Sequence, residues 1–340
     1  MMAFGSHGRS VAVTGACGYL GTRLIQAFEE DRRYERIVAL DVRRPSVPFA
    51  KTEFHRVDLT LPTAGAMVAA ALANASVDTV VHLAFLYEAA HRVEWVHELE
   101  SVGTMHVLDA CAETGVRSIV HWSRTWCYGA RPDHPNYLTE DHSLDETSSS
   151  PYIVDKIDAE RQVAEYGLRH TDVAVAILRT APMVARGVQT VAIRYLSMPV
   201  VPTAMGYDPL VQFVHGEDVV DCFKLAVDRS VDGTYNVVGR QVLPLKTFLA
   251  VMGKPTVPIL APVMRLGAGV LWSTQFGRFP AEFVDYLRYL CVADGSKAER
   301  ELGWVARFSM ADMASELASH SGRGLGLVGR SGFGQERGDL

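Results

Sequence analysis

Cysteine is scarce in this chain of 340 residues: Cys17, Cys111, Cys127, Cys222 and Cys291 lie far apart, and none falls in a Cys-x-x-Cys pair. That scatter indicates neither a disulfide framework nor a thiolate zinc site. Basic charge is not in excess either, since the formal net charge is −6, and a nucleic-acid partner is therefore not expected. The first ten residues lack the apolar core of a signal peptide. No long hydrophobic run is present. The most apolar later stretch, Thr256–Trp272, is interrupted by Pro258, Pro262 and Arg265, too often for an integral membrane segment. Such a stretch is left to line an apolar pocket or to lie against a membrane surface. The histidines show no ligand spacing, and His215, Glu217 and Asp218 read more simply as a capped helix start than as metal ligands. The composition points to a cytoplasmic protein with a small-molecule partner and no metal.

What is present is core material: 48% of the residues are hydrophobic. In the N-terminal half, short β-branched runs alternate with helical patterns. Strands are expected at Val11–Val13, Ile37–Leu40, Glu53–Val57, Thr79–Leu83, Ser118–Trp122 and Val173–Leu178. Between them, Leu20, Leu24 and Phe28, and later Val107, Leu108 and Cys111, recur at helical spacing. Strand–helix alternation predicts an α/β fold, a Rossmann-type doubly wound parallel sheet, over residues 8–180. Beyond it, frequent Gly and Pro suit a smaller, mainly C-terminal substrate lobe over 181–318, with some segments returning to the first domain. Helical patterns there cover Glu217–Val227, Leu245–Met252, Glu282–Leu290 and Lys297–Leu302. The tail 321–340, rich in Gly, Ser and Arg, is expected to be disordered.

Thr14-Gly15-Ala16-Cys17-Gly18-Tyr19-Leu20-Gly21 follows the first strand and opens the first helix. Gly15 permits the tight turn, Gly18 lets the backbone approach a pyrophosphate, and Gly21 lets the helix sit close to the sheet. The helix start presents unpaired N–H groups and a positive dipole end to the phosphates. Asp41, about 20 residues on, ends the next strand, where a carboxylate accepts from ribose hydroxyls. That carboxylate favours NAD, because it would repel the 2′-phosphate of NADP. Arg43 and Arg44 follow it, with Val42 between, and could instead cradle that phosphate. Tyr152 and Lys156, four apart after Pro151, share one helical face. An ammonium beside a phenol stabilises the phenolate and makes tyrosine a usable acid–base group.

With these motifs go Asp58-Leu59, His82-Leu83-Ala84, Ser123 with Tyr128-Gly129, Leu178-Arg179, FVHGEDVV at 213–220, GTYNVVG at 233–239 and KAERELGW at 297–304. In order and spacing the chain resembles the extended short-chain dehydrogenase/reductase superfamily, in its NAD-dependent epimerase/dehydratase group. The resemblance implies that Tyr152 is the general acid/base and that Lys156 lowers its pKa and holds the nicotinamide ribose. It also places Asp58 and Leu59 at the adenine, Leu83, Ala84 and Phe85 along the cofactor, and Thr180 and Ala181 near the nicotinamide. A homodimer built from two helices per subunit is implied in the same way.

Three positions depart from the family pattern. Arg124 stands where the family has a catalytic Ser or Thr. The flanking Ser123 or Thr125 supplies that hydroxyl if the strand end is shifted by a residue; alternatively Arg124 points inward at a substrate oxygen, or out to solvent. Glu100 replaces an Asn, and Val211 takes the place of an Arg that pairs with a nucleotide-sugar diphosphate. Three functions are therefore open: an NAD-dependent oxidoreductase or epimerase, a reductase of apolar ketones, and a sensor that holds the dinucleotide without chemistry.

Overall fold

The apolar run of β1 (Arg9–Thr14) is unbroken because the strand is covered on both faces, as parallel strands generally are. The computed structural model of the chain describes residues 8–45, 49–87, 89–275, 277 and 279–321. After β1 come α1 (Tyr19–Glu30), β2 (Tyr34–Asp41), β3 (Thr52–Arg56), α2 (Ala64–Asn74) and β4 (Thr79–His82). A short helix α3 (Val93–His97) runs through a π-helical turn, Glu98–Val102, into α4 (Gly103–Thr114). β5 (Ser118–Arg124), α5 (Pro151–Arg169) and β6 (Ala174–Thr180) complete the first half. The second half supplies α6 (Val191–Leu196), α7 (Gly216–Arg229), the strand β7 (Gly233–Val237), α8 (Leu245–Val251), α9 (Ala261–Ser273) and α10 (Met310–Ser321).

The main sheet is parallel, in the order β7-β6-β5-β4-β1-β2-β3. Alternate residues of each strand feed two cores. Val11, Val13, Val81, Val120 and Leu178 pack on one side, and Ala12, Val80, Ile119, Val175 and Ile177 on the other. Between β4 and β1 the winding reverses, and ligands of such sheets bind outside the carboxyl ends of the strands at this point. A third core holds the other lobe together, with Val184, Leu196, Phe213, Phe248, Leu287 and Met313.

Some expectations shift. The sixth strand runs two residues further, to Thr180, and GTYNVVG contributes a seventh, β7, that pairs with β6. Where helices were expected at Glu282–Leu290 and Lys297–Leu302, the chain forms a 3-10 segment, Ala281–Leu287, and a π-type turn, Ala298–Leu302. The first follows Pro280 and spends its few residues burying Phe283, Val284 and Leu287; the second is stopped by Gly303 at φ 62°. Ser321 ends α10, and the rest of the predicted disordered tail lies outside the described residues.

Candidate active site

The carboxyl ends of β1, β2, β4, β5 and β6 converge on one cleft. At β1, Gly15 has φ 64°, and a Cβ there would sit 2.6 Å from the Leu83 carbonyl oxygen. A Cβ on Gly21 would lie 2.4 Å from the Gly15 oxygen. Only glycine lets turn, helix and the strand after it close up like this. α1 starts at Gly18 with no side-chain cap and no acidic residue in its first turn. Its positive end is left uncompensated. The Leu20 N–H donates to the Tyr87 hydroxyl at 3.3 Å. Opposite, Asp41 accepts from the Cys17 N–H at 2.9 Å and the Arg43 N–H at 3.0 Å. Burial, helped by Asp41, pushes the Cys17 thiol up to about 11. Val42 follows β2 directly, Asp58 turns back on Thr60, and Leu59 is buried beneath α4. Tyr19 leaves the cleft and donates to Glu217 on α7.

His82 sets the next strand end. The Thr104 hydroxyl donates to the Glu100 carbonyl, so the His82 Nε2–H donates to Thr104 and its Nδ1 accepts from Thr14. Thr14 in turn accepts from the N–H groups of Leu83 and Ala84. Every proton in this relay has one place, and the imidazole is neutral in it. Burial brings the His82 pKa down to about 3, from 6.5. The unfolded chain therefore binds the extra proton between these values, and folding loses stability as pH falls through that window. The slope is about 1.4 kcal/mol per pH unit for one histidine at its steepest. Urea unfolding at pH 7 and pH 5 checks this, and His82→Gln, less stable at pH 7, is expected to show the shallower loss on acidification.

The relay delivers the segment Leu83–Tyr87 to Tyr152 and Lys156. Tyr152 donates to the Tyr87 carbonyl at 3.3 Å, and Lys156 to the Leu86 carbonyl at 3.2 Å. The Lys156 Nζ lies 4.5 Å from the centre of the Tyr152 ring and 5.5 Å from that of Phe85. Arg124 faces inward: it donates to the Leu86 and Tyr87 carbonyls, and its guanidinium carbon lies 4.7 Å from the Trp122 ring and 5.7 Å from the Tyr152 ring. Thr180 accepts from the Trp122 indole and donates to the Ser123 carbonyl, and Ala181 is buried at the end of β6. Burial brings the Lys156 ammonium down to about 8, against the opposing pull of Glu100. The fully buried Glu100 accepts from Lys156 at 2.7 Å and from the Leu86 N–H at 2.9 Å. The π-turn swings that carboxylate inward, a common use of such turns near functional sites.

The Ser123 hydroxyl is engaged away from Tyr152. Ser123 is buried and donates to Glu160. Glu160 is paired with Arg179, which also donates to Tyr128, and Tyr128 donates to Asn236 of β7. Thr125 is buried in the turn after β5, where its carbonyl accepts from the Cys291 thiol. His215 caps α7 and pairs with Glu316, and among the described residues no cluster suits a metal ion. Tyr87 and Trp126 enter the site although no motif includes them. Each lies close to a motif, Tyr87 three residues after the His82-Leu83-Ala84 strand end and Trp126 two after Arg124.

Beyond Tyr152 lies a cavity of about 190 Å³, walled by Trp126, Ile153, Val191, Phe283 and Tyr286, with Ser148–Ser150 along one edge. A smaller one, about 50 Å³, continues between Trp126, Tyr195, Val211 and Leu245. The smaller one is lined largely by rings and aliphatic groups, whereas the larger is mixed, with Asp145, Thr147, Glu282 and Asp285 also on its wall.

Sheet order, glycine cradle and strand-end acid define a Rossmann-type α/β protein with a Tyr–Lys pair beside its cleft. The chain belongs to the NAD dependent epimerase/dehydratase family, whose model matches residues 11–238. It is 30% identical to an uncharacterized protein of Mycobacterium tuberculosis over 322 residues, 93% of this chain and 84% of that one. It is 31% identical to rat 3 beta-hydroxysteroid dehydrogenase type 7 over 162 residues, 45% of this chain and 47% of the rat protein. In fold it resembles the UDP-glucose 4-epimerase of Thermus thermophilus, solved as a complex with NAD. The TM-score is 0.70 at 20% identity, covering 92% of this chain and 98% of the other.

Proposed function

We propose that the chain is an NAD-dependent oxidoreductase acting on a secondary alcohol or ketone with an apolar, partly aromatic body. Residues 8–180 hold the cofactor, and 181–318 shape the substrate pocket together with Trp126, Ser148–Ser150 and Ile153. The observation that carries this reading is the placement of Tyr152, with Lys156 beside it, between the glycine cradle and a cavity whose Trp126, Phe283 and Tyr286 rings lead on to a smaller, mostly apolar one.

The cradle suits a dinucleotide. Gly15, Gly18 and Gly21 leave no side chain between a pyrophosphate and the start of α1, Asp41 faces that turn for a ribose, and Asp58 and Leu59 border the adenine end. Bound NAD supplies the hydride acceptor. The chain's own residues handle the proton. Tyr152 takes it from the substrate hydroxyl, or returns it to the ketone oxygen, and the Lys156 ammonium favours the phenolate. Arg124, standing where the family has a hydroxyl, gives its N–H groups to the substrate oxygen. In this conformation the Leu86 and Tyr87 carbonyls take up the hydrogen bonds of Tyr152, Lys156 and Arg124, so substrate must exchange for them.

The second reading is a nucleotide-sugar epimerase, favoured by family membership. Against it, apolar Val211 lines the smaller cavity where a diphosphate-binding Arg is expected. A panel of UDP-sugars, steroid-like alcohols and aromatic ketones, followed by NADH absorbance with chromatography for epimerised sugar, tests both. Turnover of the apolar compounds alone is expected. Epimerised UDP-sugar would instead establish the second reading, and tight NADH binding without any turnover would leave a sensor.

The cradle itself is tested by Gly21→Ala. Its Cβ meets the backbone of Gly15 and Ala16, and overpacking of this kind costs about 1–3 kcal/mol. NAD affinity, titrated by calorimetry, should fall about tenfold.

A further inference from the structure

A helix that is apolar all round is normally buried. α9 is apolar nearly all round and has no buried residue. Met264, Ala268 and Trp272 turn one side toward the body of the protein, where Met264 packs on the third core and the Trp272 ring lies 3.9 Å from that of His91. The opposite side, at i, i+3, i+7 and i+8, carries Val263, Leu266, Val270 and Leu271. These are 54–70% exposed. Val257 and Leu260, in the strand Thr256–Ile259 and just after it, extend the surface at 47% and 56% exposure. The strand they prolong pairs with Val201–Ala204, flanked by exposed Val200 and Met205. Other exposed large apolar residues, such as Leu61, Tyr137 and Leu168, lie far apart along the chain, whereas a cluster like this one marks an interaction site.

Charge decides what covers it. The whole chain carries −6, yet from Gly233 to Ala281 there is no Asp or Glu at all, while Arg240, Lys246, Lys254, Arg265 and Arg278 give that stretch five positive charges. Lys254 stands at the start of the apolar surface and Arg265 in the middle of α9. The segment packed against α9 carries two acids, Glu282 and Asp285, and Asp285 is held between Arg265 and Arg288. A basic-rimmed apolar helix is the pattern that seats in the boundary of an anionic bilayer, its apolar face about 5–10 Å deep. A second copy of this chain, net acidic, offers no such charge match.

We infer that α9 and the strand before it form a membrane-docking surface for anionic phospholipid, lying in the plane of one leaflet. Among the described residues no helix is long and apolar enough to cross a membrane, and none is needed. The surface adjoins the pocket: α9 packs on Ala281–Leu287, whose Phe283 and Tyr286 wall the cavity beside Tyr152. Docking would therefore set the substrate entrance against the bilayer.

The test is co-sedimentation of the full chain, without detergent, with vesicles of phosphatidylglycerol and phosphatidylcholine in equal parts, and with phosphatidylcholine alone. Most of the protein should pellet with the anionic vesicles and at least fivefold less with the neutral ones. Leu266→Glu with Val270→Glu should leave it in the supernatant, with unchanged circular dichroism. Should that variant fold poorly, Leu266→Ala with Val270→Ala is expected to lower the pelleted fraction severalfold. Wild type staying in the supernatant, or the variants pelleting like wild type, overturns the inference. A dimer in light scattering that the variants dissociate, without vesicle binding, overturns it in favour of a second copy. The assay reads no turnover, so its failure is distinct from failure of the proposed oxidoreductase activity.

Discussion

Tyr152→Phe is expected to lower turnover about 10²–10⁴-fold, the range that a positioned acid–base group supplies, while NAD affinity stays nearly unchanged. The substitution deletes one oxygen. The ring keeps its place beside Lys156 and Arg124, and the lost bond to the Tyr87 carbonyl is long at 3.3 Å. A tyrosine that merely packed would leave kcat near wild type, so the split between kcat and NAD affinity separates the two roles. Measurement pairs NADH absorbance on the best substrate of the panel with a calorimetric NAD titration. Full activity would remove Tyr152 from the chemistry. Lys156 offers no equally clean experiment: truncating it strands the Glu100 carboxylate in a buried site, and an uncompensated buried charge costs about 3–5 kcal/mol.

That contrast shows what kind of information the sequence holds. Gly15, Gly18, Gly21 and the Tyr152–Lys156 spacing are legible because each is local: one turn, one helical face. Strand alternation likewise puts Arg124 opposite Ser123 and Thr125, but which side meets the cleft depends on how β5 sits between β4 and β6. Glu100 is conspicuous in the sequence only as a departure. Its partnership with Lys156, 56 residues away, rests on a π-turn that no spacing announces. β7 escapes a reading by periodicity because it returns to the sheet edge after the whole excursion from β6, and its partner register, Gly233 against Ala176, has no local signature. The apolar stretch from Thr256 to Trp272 stands out in the sequence, yet only the fold shows which of its faces is covered.

The signature residues around β5 and β6 lead to the other large effect. Ser123, Tyr128, Glu160, Arg179 and Asn236 form one buried polar network that ties β5, α5, β6 and β7 together. Arg179 donates to Glu160 from two nitrogens, at 2.9 and 2.5 Å, to Tyr128 at 2.7 Å and to the Glu140 carbonyl at 3.0 Å. Arg179→Met preserves the stem and removes every one of these donors, leaving Glu160 ionised and unpaired. Urea unfolding should show a loss of about 3–5 kcal/mol, the usual cost of stranding one member of a buried pair. Adding Glu160→Gln removes the stranded charge, so the double variant should regain about 1–3 kcal/mol over the additive expectation. NAD affinity should hold in whatever fraction stays folded, because none of these side chains reaches the glycine cradle. Equal stability of Arg179→Met and wild type would mean that the network is incidental. A double variant no better than additive would mean that the Glu160 charge finds solvent on its own.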